Sequence, residues 1–295
     1  MSEARGLTAL ERQQWQRDGF VVLPGFKSAQ AIESLRTRAA QIVADFDPEC
    51  GPDGRPSVFA THDQARLSAD QAFLASAQGI HCFFEEEAFA EDGRLQQAKH
   101  LSINKIGHAL HDLDPVFDAF SHGEDLAAVV RDLGVQQPQV WQSMFIFKQP
   151  AIGGEVRWHQ DATFLHTTPV SVVGLWFALE DATRDNGCLW VAPGQHRSPL
   201  RERFVRQACP EPGQPLTRLE VLDATLWPSE RHAVPVEVSA GTLVCLHGLL
   251  PHYSAPNRSA HSRHAYTLHV VDGTSAYATD NWLQREGGLP LRGLS

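Results

Sequence analysis

After Gly134 the chain breaks into short runs rich in β-branched and aromatic residues, and no other feature constrains its fold as tightly. The runs are "PQVWQSMFIFKQP", "EVRWHQDATFLH", "SVVGLWFALEDAT", "GCLWVAPG", "AVPVEVSAGTLVCLHG" and "RHAYTLHVVDG". Turn signals separate them: Pro150, Gly153-Gly154, Asn186-Gly187, Pro193-Gly194 and Gly241. β-Branched and aromatic side chains fit a pleated, half-buried surface, while Gly, Pro and Asn supply the dihedral angles that turns need. Asn-Gly in particular signals a hairpin. Several short strands spaced in this way predict a sandwich or jelly roll.

The first third reads differently. "TALERQQWQRDG" predicts a short helix with Thr8 as N-cap and Gly19 at its end. "FVVLPGF" predicts a buried strand stopped by Pro24-Gly25. Ser28 can cap a second helix that turns Ile32, Leu35, Ile42, Val43 and Phe46 toward a core. Residues 47–80 carry a Gly/Pro-rich loop and no periodicity that assigns a structure. "PVFDAFSHGEDLAAVVRDLG" predicts a third helix ended by Gly134. The expected fold is therefore mainly β with added helices: a single domain over residues 1–295, with a helical and loop flank at 1–134 and a jelly-roll core at 135–282.

Composition narrows the function classes. With 42% hydrophobic and 20% charged residues in 295, the chain can bury a substantial core, and a formal net charge of −10 argues against nucleic acid. Five cysteines without a CxxC pair point to reduced thiols. The N-terminus has no apolar signal core, no run approaches a membrane span, and "LRGLS" is not a peroxisomal address. A cytoplasmic protein is the expectation; oligomeric state is not legible.

The chemistry centres on "RWHQDATF". Side chains alternate along a strand, so His159 and Asp161 share one face and Gln160 takes the other. An imidazole and a carboxylate so placed can hold a metal with a third ligand, and a 2-His-1-carboxylate set with open positions is diagnostic of non-haem Fe(II) oxygenases. Among 15 histidines, a His-x-Asp pair also arises by chance. "GTLVCLHGLLPHYSAPNRSAHSRHAYTLH" offers His247 and His252 as third ligands, followed by Arg263, whose planar fork suits a carboxylate. A competing metal site is "GHALHDLD" (His108, His111, Asp112), whose residues otherwise flank a helix with an exposed polar face. Arg197, Arg201, Arg203 and Arg206 form the one cationic cluster suited to the phosphates of an acyl-CoA, and otherwise belong to a solvated loop.

The order "DGFVVLPGF", "SINKIGHALH", "QSMFIFKQP", "HQDATF", "LEDAT..NGCLWVAPGQH", "HGLLPHYSAPNRS....RHAYTLH" resembles the phytanoyl-CoA dioxygenase family, in particular its branch of domain-containing proteins, from about Leu10 to Trp282. The resemblance implies a double-stranded β-helix using Fe(II), 2-oxoglutarate and O2. It selects His252 over His247, because the family's distal histidine is followed by x-Ser and, eleven positions on, by the co-substrate arginine; here these are Ser254 and Arg263. By the same matching, Lys105, Met144 and Trp176 line the 2-oxoglutarate pocket, although Met144 and Trp176 also suit plain core positions. Gln195 departs from the serine that many relatives carry in the turn. Asp161 is present, which disfavours halogenation. The implied substrate is a small molecule; a zinc enzyme and an inactive binding module are the alternatives.

Overall fold

The computed structural model describes residues 5–48, 58–59, 71–208, 214–285 and 289–294. In chain order its strands are β1 (Phe20–Leu23), β2 (Val58–Phe59), β3 (Ile80–Glu85), β4 (Ile103–His108), β5 (Pro138–Ile146), β6 (Val156–His159), β7 (Thr167–Thr168) and β8 (Val173–Ala178). There follow β9 (Leu189–Val191), β10 (Glu202–Arg206), β11 (Thr217–Val221), β12 (Val234–Val236), β13 (Leu243–His247), β14 (His252–Ser254), β15 (Ala265–Asp272) and β16 (Ala276–Tyr277). Eight of them form one sheet in the order β1-β13-β8-β15-β5-β4-β3-β2, and β12-β9-β14-β6 form a second. The chain is a jelly roll, mainly antiparallel, with helices on one side. Four strands of the large sheet lie before residue 134, where only β1 was expected, so the β structure begins well inside the helical flank.

Both faces of the large sheet are covered. Its outer face puts Val21, Leu23, Leu175, Phe177, Cys245, Tyr266 and Leu268 against Leu35, Val43, Phe117, Phe120 and Val130 of the helices. Its inner face puts Trp176, Ala178, Val244, Leu246 and Ala265 against Leu189, Val191 and Val236 of the small sheet. Two-sided burial explains why β15 is buried at all eight positions, although Thr267, His269 and Asp272 interrupt its apolar residues. Of these, Thr267 and His269 open onto the cavity described below.

Two helices follow the predicted punctuation. The first, α1 (Ala9–Asp18), starts with a capping box between Thr8 and Glu11 and stops at Gly19, whose φ of 78° is the left-handed value glycine tolerates. The second, α2 (Ala29–Asp45), is capped by Ser28 and buries Ile32, Leu35, Ala39 and Val43. The predicted third helix is two. Pro115–Ser121 is capped by Asp114, the chain extends at His122, Gly123 takes φ 144°, and Glu124–Asp132 resumes. No side-chain-bearing residue adopts that φ readily, so the glycine forces the break.

Asn186-Gly187 is not a hairpin turn. The strands on either side of it, β8 and β9, belong to different sheets, so the segment is the crossover between them. Asn186 holds the crossover by donating to the carbonyls of Asp181 and Ser262. Of the cysteines, Cys82, Cys188 and Cys245 are free and buried; Cys50 and Cys209 lie outside the described residues. No helix among the described residues is long and apolar enough to cross a membrane. Because Leu35 is fully buried at the sheet–helix interface, Leu35→Ala should lower the unfolding free energy by about 2–5 kcal/mol, measured by urea denaturation at equilibrium.

Candidate metal centre and ligand cavity

The antiparallel pairing of β14 with β6 sets His252 directly across from His159. Their rings lie 4.1 Å apart between centroids. The strand ends at His159, but Gln160 stays extended (φ −119°, ψ 136°), so side-chain alternation carries one step further before a short 3-10 turn starts at Asp161. Asp161 therefore returns to the face of His159, as expected. Gln160 points away, donates to the carbonyls of Pro199 and Leu249 and accepts from the Arg201 amide. One candidate ligand atom from each of His159, Asp161 and His252 falls within 4.8 Å of the others.

Backbone carbonyls orient both imidazoles. His159 Nδ1 donates to Arg157 O at 2.8 Å and His252 Nδ1 to Leu250 O at 2.9 Å. This leaves Nε2 turned inward on each ring, 3.7 and 3.5 Å from Asp161 Oδ1. Such a second hydrogen bond commonly fixes the tautomer of a metal-binding histidine. Burial, reinforced by His252, drops the His159 pKa to about 3, so its ring stays neutral well into acid. Burial alone would raise the Asp161 carboxyl, but His269 and His252 beside it hold it well below the usual carboxylate range.

Asp161 Oδ2 is buried without a partner among the described residues. A Cβ on Gly174 would sit 2.4 Å from it, so the glycine leaves the room this carboxylate occupies.

Arg263 is the second focus. It is buried, its Nε donates to Gly187 O at 3.1 Å, and its Nη2 reaches Ser254 Oγ at 3.4 Å. The Ser254 hydroxyl is itself committed to Gly187 O at 2.9 Å. The guanidinium lies 5.3 Å from the Trp176 ring centroid. Its Nη1 has no partner among the described residues. A buried cation with an unused donor is expensive unless an anion completes it. Burial lowers its pKa to about 10, which still leaves it charged at neutral pH.

A cavity of about 210 Å³ joins the two foci and is also lined by Lys105, Met144, Ser254 and Trp176. The cavity thus gathers Lys105, Met144, His159, Asp161, Trp176, His252, Ser254 and Arg263. His247 is not among the lining residues; it ends β13, its Nδ1 accepts from the Leu249 amide, and its ring packs on Trp15. The histidine pair of "GHALHDLD" is split. His108 closes β4, while His111 and Asp112 are buried in an ion-pair cluster with Arg285, not on an exposed face. The four arginines form no shared patch either. Arg197 donates to Gln16 O, Arg201 packs on Trp227, Arg203 pairs with Asp280 and Arg206 donates to Trp282 O. Arg203 and Arg206 lie on strand β10, Arg201 is buried just before it, and Arg197 ends a 3-10 turn, so the segment is not one solvated loop.

These features have counterparts among known proteins. The family profile described as phytanoyl-CoA dioxygenase matches residues 15–265. The chain belongs to the phytanoyl-CoA dioxygenase family. It is 45% identical over 293 residues to phytanoyl-CoA dioxygenase 1 of Oryza sativa subsp. japonica, covering 97% of both chains. It is 43% identical over 292 residues to phytanoyl-CoA dioxygenase domain-containing protein 1 of Bos taurus, again covering 97% of both. Among solved structures, EctD from S. alaskensis with 2-oxoglutarate and 5-hydroxyectoine superposes with a TM-score of 0.63 at 20% identity, covering 100% of this chain and 88% of that one. The non-heme alpha ketoglutarate dependent carbocyclase SnoK gives 0.62 at 15% identity, covering 98% and 99%. At such identities the likeness establishes the fold.

Several charged or titratable groups at the cavity escaped the sequence reading, among them His269 and Lys148, with Glu85 bonded to the lining residues Asn104 and Gly154. His269 sits 3.3 Å from Asp161 Oδ1. Its signal was the alternation Arg263, Ala265, Thr267, His269, which puts all four on the inward face. Lys148, at the end of the β5 segment, is buried and donates to Gly154 O at 2.6 Å; burial, then Arg263, pushes its pKa far down. Glu85 lies across the sheet, its carboxyl raised by burial, accepting from Asn104 and the Gly154 amide. No local pattern marks Lys148 or Glu85, because only the β3-β4-β5 pairing carries them inward.

Gly174→Ala should displace the Asp161 carboxylate and weaken Fe(II) binding by at least ~10-fold, read by anaerobic calorimetry. Lys105 tests the electrostatics. Burial, only partly offset by Glu85, lowers its pKa to about 7 from 10.5. In that window the unfolded chain holds a proton that the folded chain has shed, so stability should rise as pH climbs from about 7 toward 10.5. Lys105→Met should flatten that slope in a thermal-unfolding series on metal-free protein.

Proposed function

We propose that this protein is an Fe(II)- and 2-oxoglutarate-dependent dioxygenase that hydroxylates a C–H bond of a small molecule, with release of succinate and CO2. The observation that carries the reading is the unpartnered Nη1 of buried Arg263, opening on the same cavity as the His159, Asp161 and His252 cluster. A zinc hydrolase or isomerase would have no use for a buried, incompletely paired guanidinium beside its metal. The family's name and the structures of EctD with bound Fe and with 2-oxoglutarate support the same assignment. The buried thiols of Cys82, Cys188 and Cys245 fit a reducing, cytoplasmic setting.

In this reading His159 Nε2, His252 Nε2 and Asp161 would hold the iron on one face, each imidazole kept in the right tautomer by its backbone carbonyl. The metal supplies the chemistry that couples oxidative decarboxylation of 2-oxoglutarate, by O2, to C–H hydroxylation. Arg263 receives the far carboxylate of the co-substrate through its free Nη1. Ser254 acts on Arg263 rather than on the ligand, since its proton is spent on Gly187 O. Trp176 backs the guanidinium with its ring face. Lys105 adds positive charge; an incoming dianion would raise its depressed pKa again. Met144 supplies an apolar wall. The dispersal of Arg197, Arg201, Arg203 and Arg206 removes the one cluster suited to the phosphates of a CoA ester, which favours a smaller substrate.

Adding Fe(II) and 2-oxoglutarate without oxygen should produce a visible charge-transfer band. His159→Ala and Asp161→Ala should abolish both the band and succinate release. Arg263→Ala should raise the 2-oxoglutarate Kd by roughly 100-fold or more, as expected when a buried charge pair loses one partner. Full succinate release in either ligand variant would sink the assignment.

A further inference from the structure

At one end of the cavity lies a hydrogen-bond acceptor that no described residue satisfies. His108 is completely buried and lines the cavity. Its Nδ1 lies 2.7 Å from Ser76 Oγ. The Ser76 hydroxyl donates its only proton to Phe73 O at 2.5 Å. Ser76 Oγ can therefore only accept from the ring, which makes Nδ1 the protonated nitrogen and leaves Nε2 with a bare lone pair. Nε2 has no partner among the described residues. His108 lines the cavity together with Phe73 and Trp282, whose rings pack on it, whereas Ser76 at Nδ1 does not.

Aromatic rings pack on this imidazole, with the Lys105 ammonium near two of them, Phe73 and Phe83. The Trp282 and Phe73 rings lie 5.1 and 5.7 Å from the imidazole. From there a wall of rings leads to the metal cluster: Phe73 to Phe204 at 6.3 Å, Phe204 to Phe164 at 5.8 Å, and Phe164 to His159 at 5.9 Å. A polar anchor at one end, a candidate ligand at the other and apolar rings between them are the ingredients of an orienting site.

We propose that the His108 end of the cavity is the substrate's anchoring subsite, and that the substrate is a compact, largely apolar molecule presenting a neutral hydroxyl or N–H to Nε2. The molecule lies along the aromatic wall, so the carbon facing the metal is separated from the anchoring group by the length of that wall. This rests on reading the cavity as the chamber of the proposed dioxygenase. Burial also pushes the His108 pKa well down, which keeps the ring an acceptor at neutral pH. His108 is thus a specificity-determining residue, and Ser76 positions it.

Phenol, anisole and benzoate share a ring and differ in what they offer: a donor, a capped oxygen or an anion. Each is titrated into the metal-free chain and followed by ligand-observed NMR. Phenol should bind about tenfold tighter than anisole, because anisole leaves a buried acceptor unmet. The preference should vanish in His108→Phe and shrink in Ser76→Ala, which frees the tautomer. Long-range 1H–15N spectra of the histidine-labelled chain should show His108 protonated at Nδ1, with phenol shifting only Nε2; this measurement needs no variant. Equal binding of phenol and anisole, a phenol preference surviving His108→Phe, a ring protonated at Nε2, or benzoate binding tighter than phenol through Lys105 would each overturn the proposal. The metal-free readout separates it from the cofactor assignment: loss of the charge-transfer band alone overturns the dioxygenase reading, and loss of phenol selectivity alone overturns this one.

Discussion

Everything at this site depends on a sheet buried on both faces. In most β proteins one face of a strand meets water and can carry charge cheaply. Here the outer face of the large sheet is sealed by helices and the inner face by the second sheet. A polar side chain on an inner position of β15, β4 or β5 consequently sits in a medium that penalises it, unless protein or ligand completes its bonds. Arg263, Lys105, Lys148, His108 and Asp161 all occupy that environment, and burial is the largest influence on the titration of each. The protein tolerates this because it holds some of their bonds itself, through Gly187 O for Arg263, Gly154 O for Lys148 and Ser76 for His108. The atoms left over describe the ligands.

Three groups among those leftover atoms differ in chemistry. Two inward Nε2 atoms and a carboxylate with one unpartnered oxygen make a hard, compact metal site. A guanidinium nitrogen without an acceptor calls for a carboxylate. A bare imidazole nitrogen set among aromatic rings calls for a neutral donor on an apolar body. The three lie along one cavity, so a metal, a dicarboxylate and a third molecule can be held together. Their relative placement is set by strand register rather than by loops, which limits how far any of them can drift.

The parts of the fold readable from sequence were those governed by local rules. Thr8, Gly19 and Ser28 punctuate the first two helices because capping is a matter of three or four neighbouring residues. The runs beyond Gly134 became strands because β-branched and aromatic residues favour that geometry. Local rules misled where tertiary context decided. Asn186-Gly187 has hairpin chemistry but serves a crossover between sheets. "PVFDAFSHGEDLAAVVRDLG" keeps helical spacing, yet Gly123 breaks it so that two short helices can each pack on the sheet. The arginines of "HRSPLRERFVR" are neighbours in sequence and scattered in space, because strand alternation and separate partners pull them apart.

By itself the sequence put His159 and Asp161 on one face and predicted a sandwich or jelly roll, since both follow from backbone geometry within a strand and from the spacing of turns. The family resemblance, carried by matching motifs, narrowed the fold to a jelly roll and chose His252 and Arg263. Only the tertiary structure decided that His252 faces His159 across a strand pair, that His247 turns away, and that His269, Lys148 and His108 join the cavity. Those placements depend on which strands become neighbours and in what register. That is settled by how both faces of the large sheet are buried, and no short stretch of residues records it.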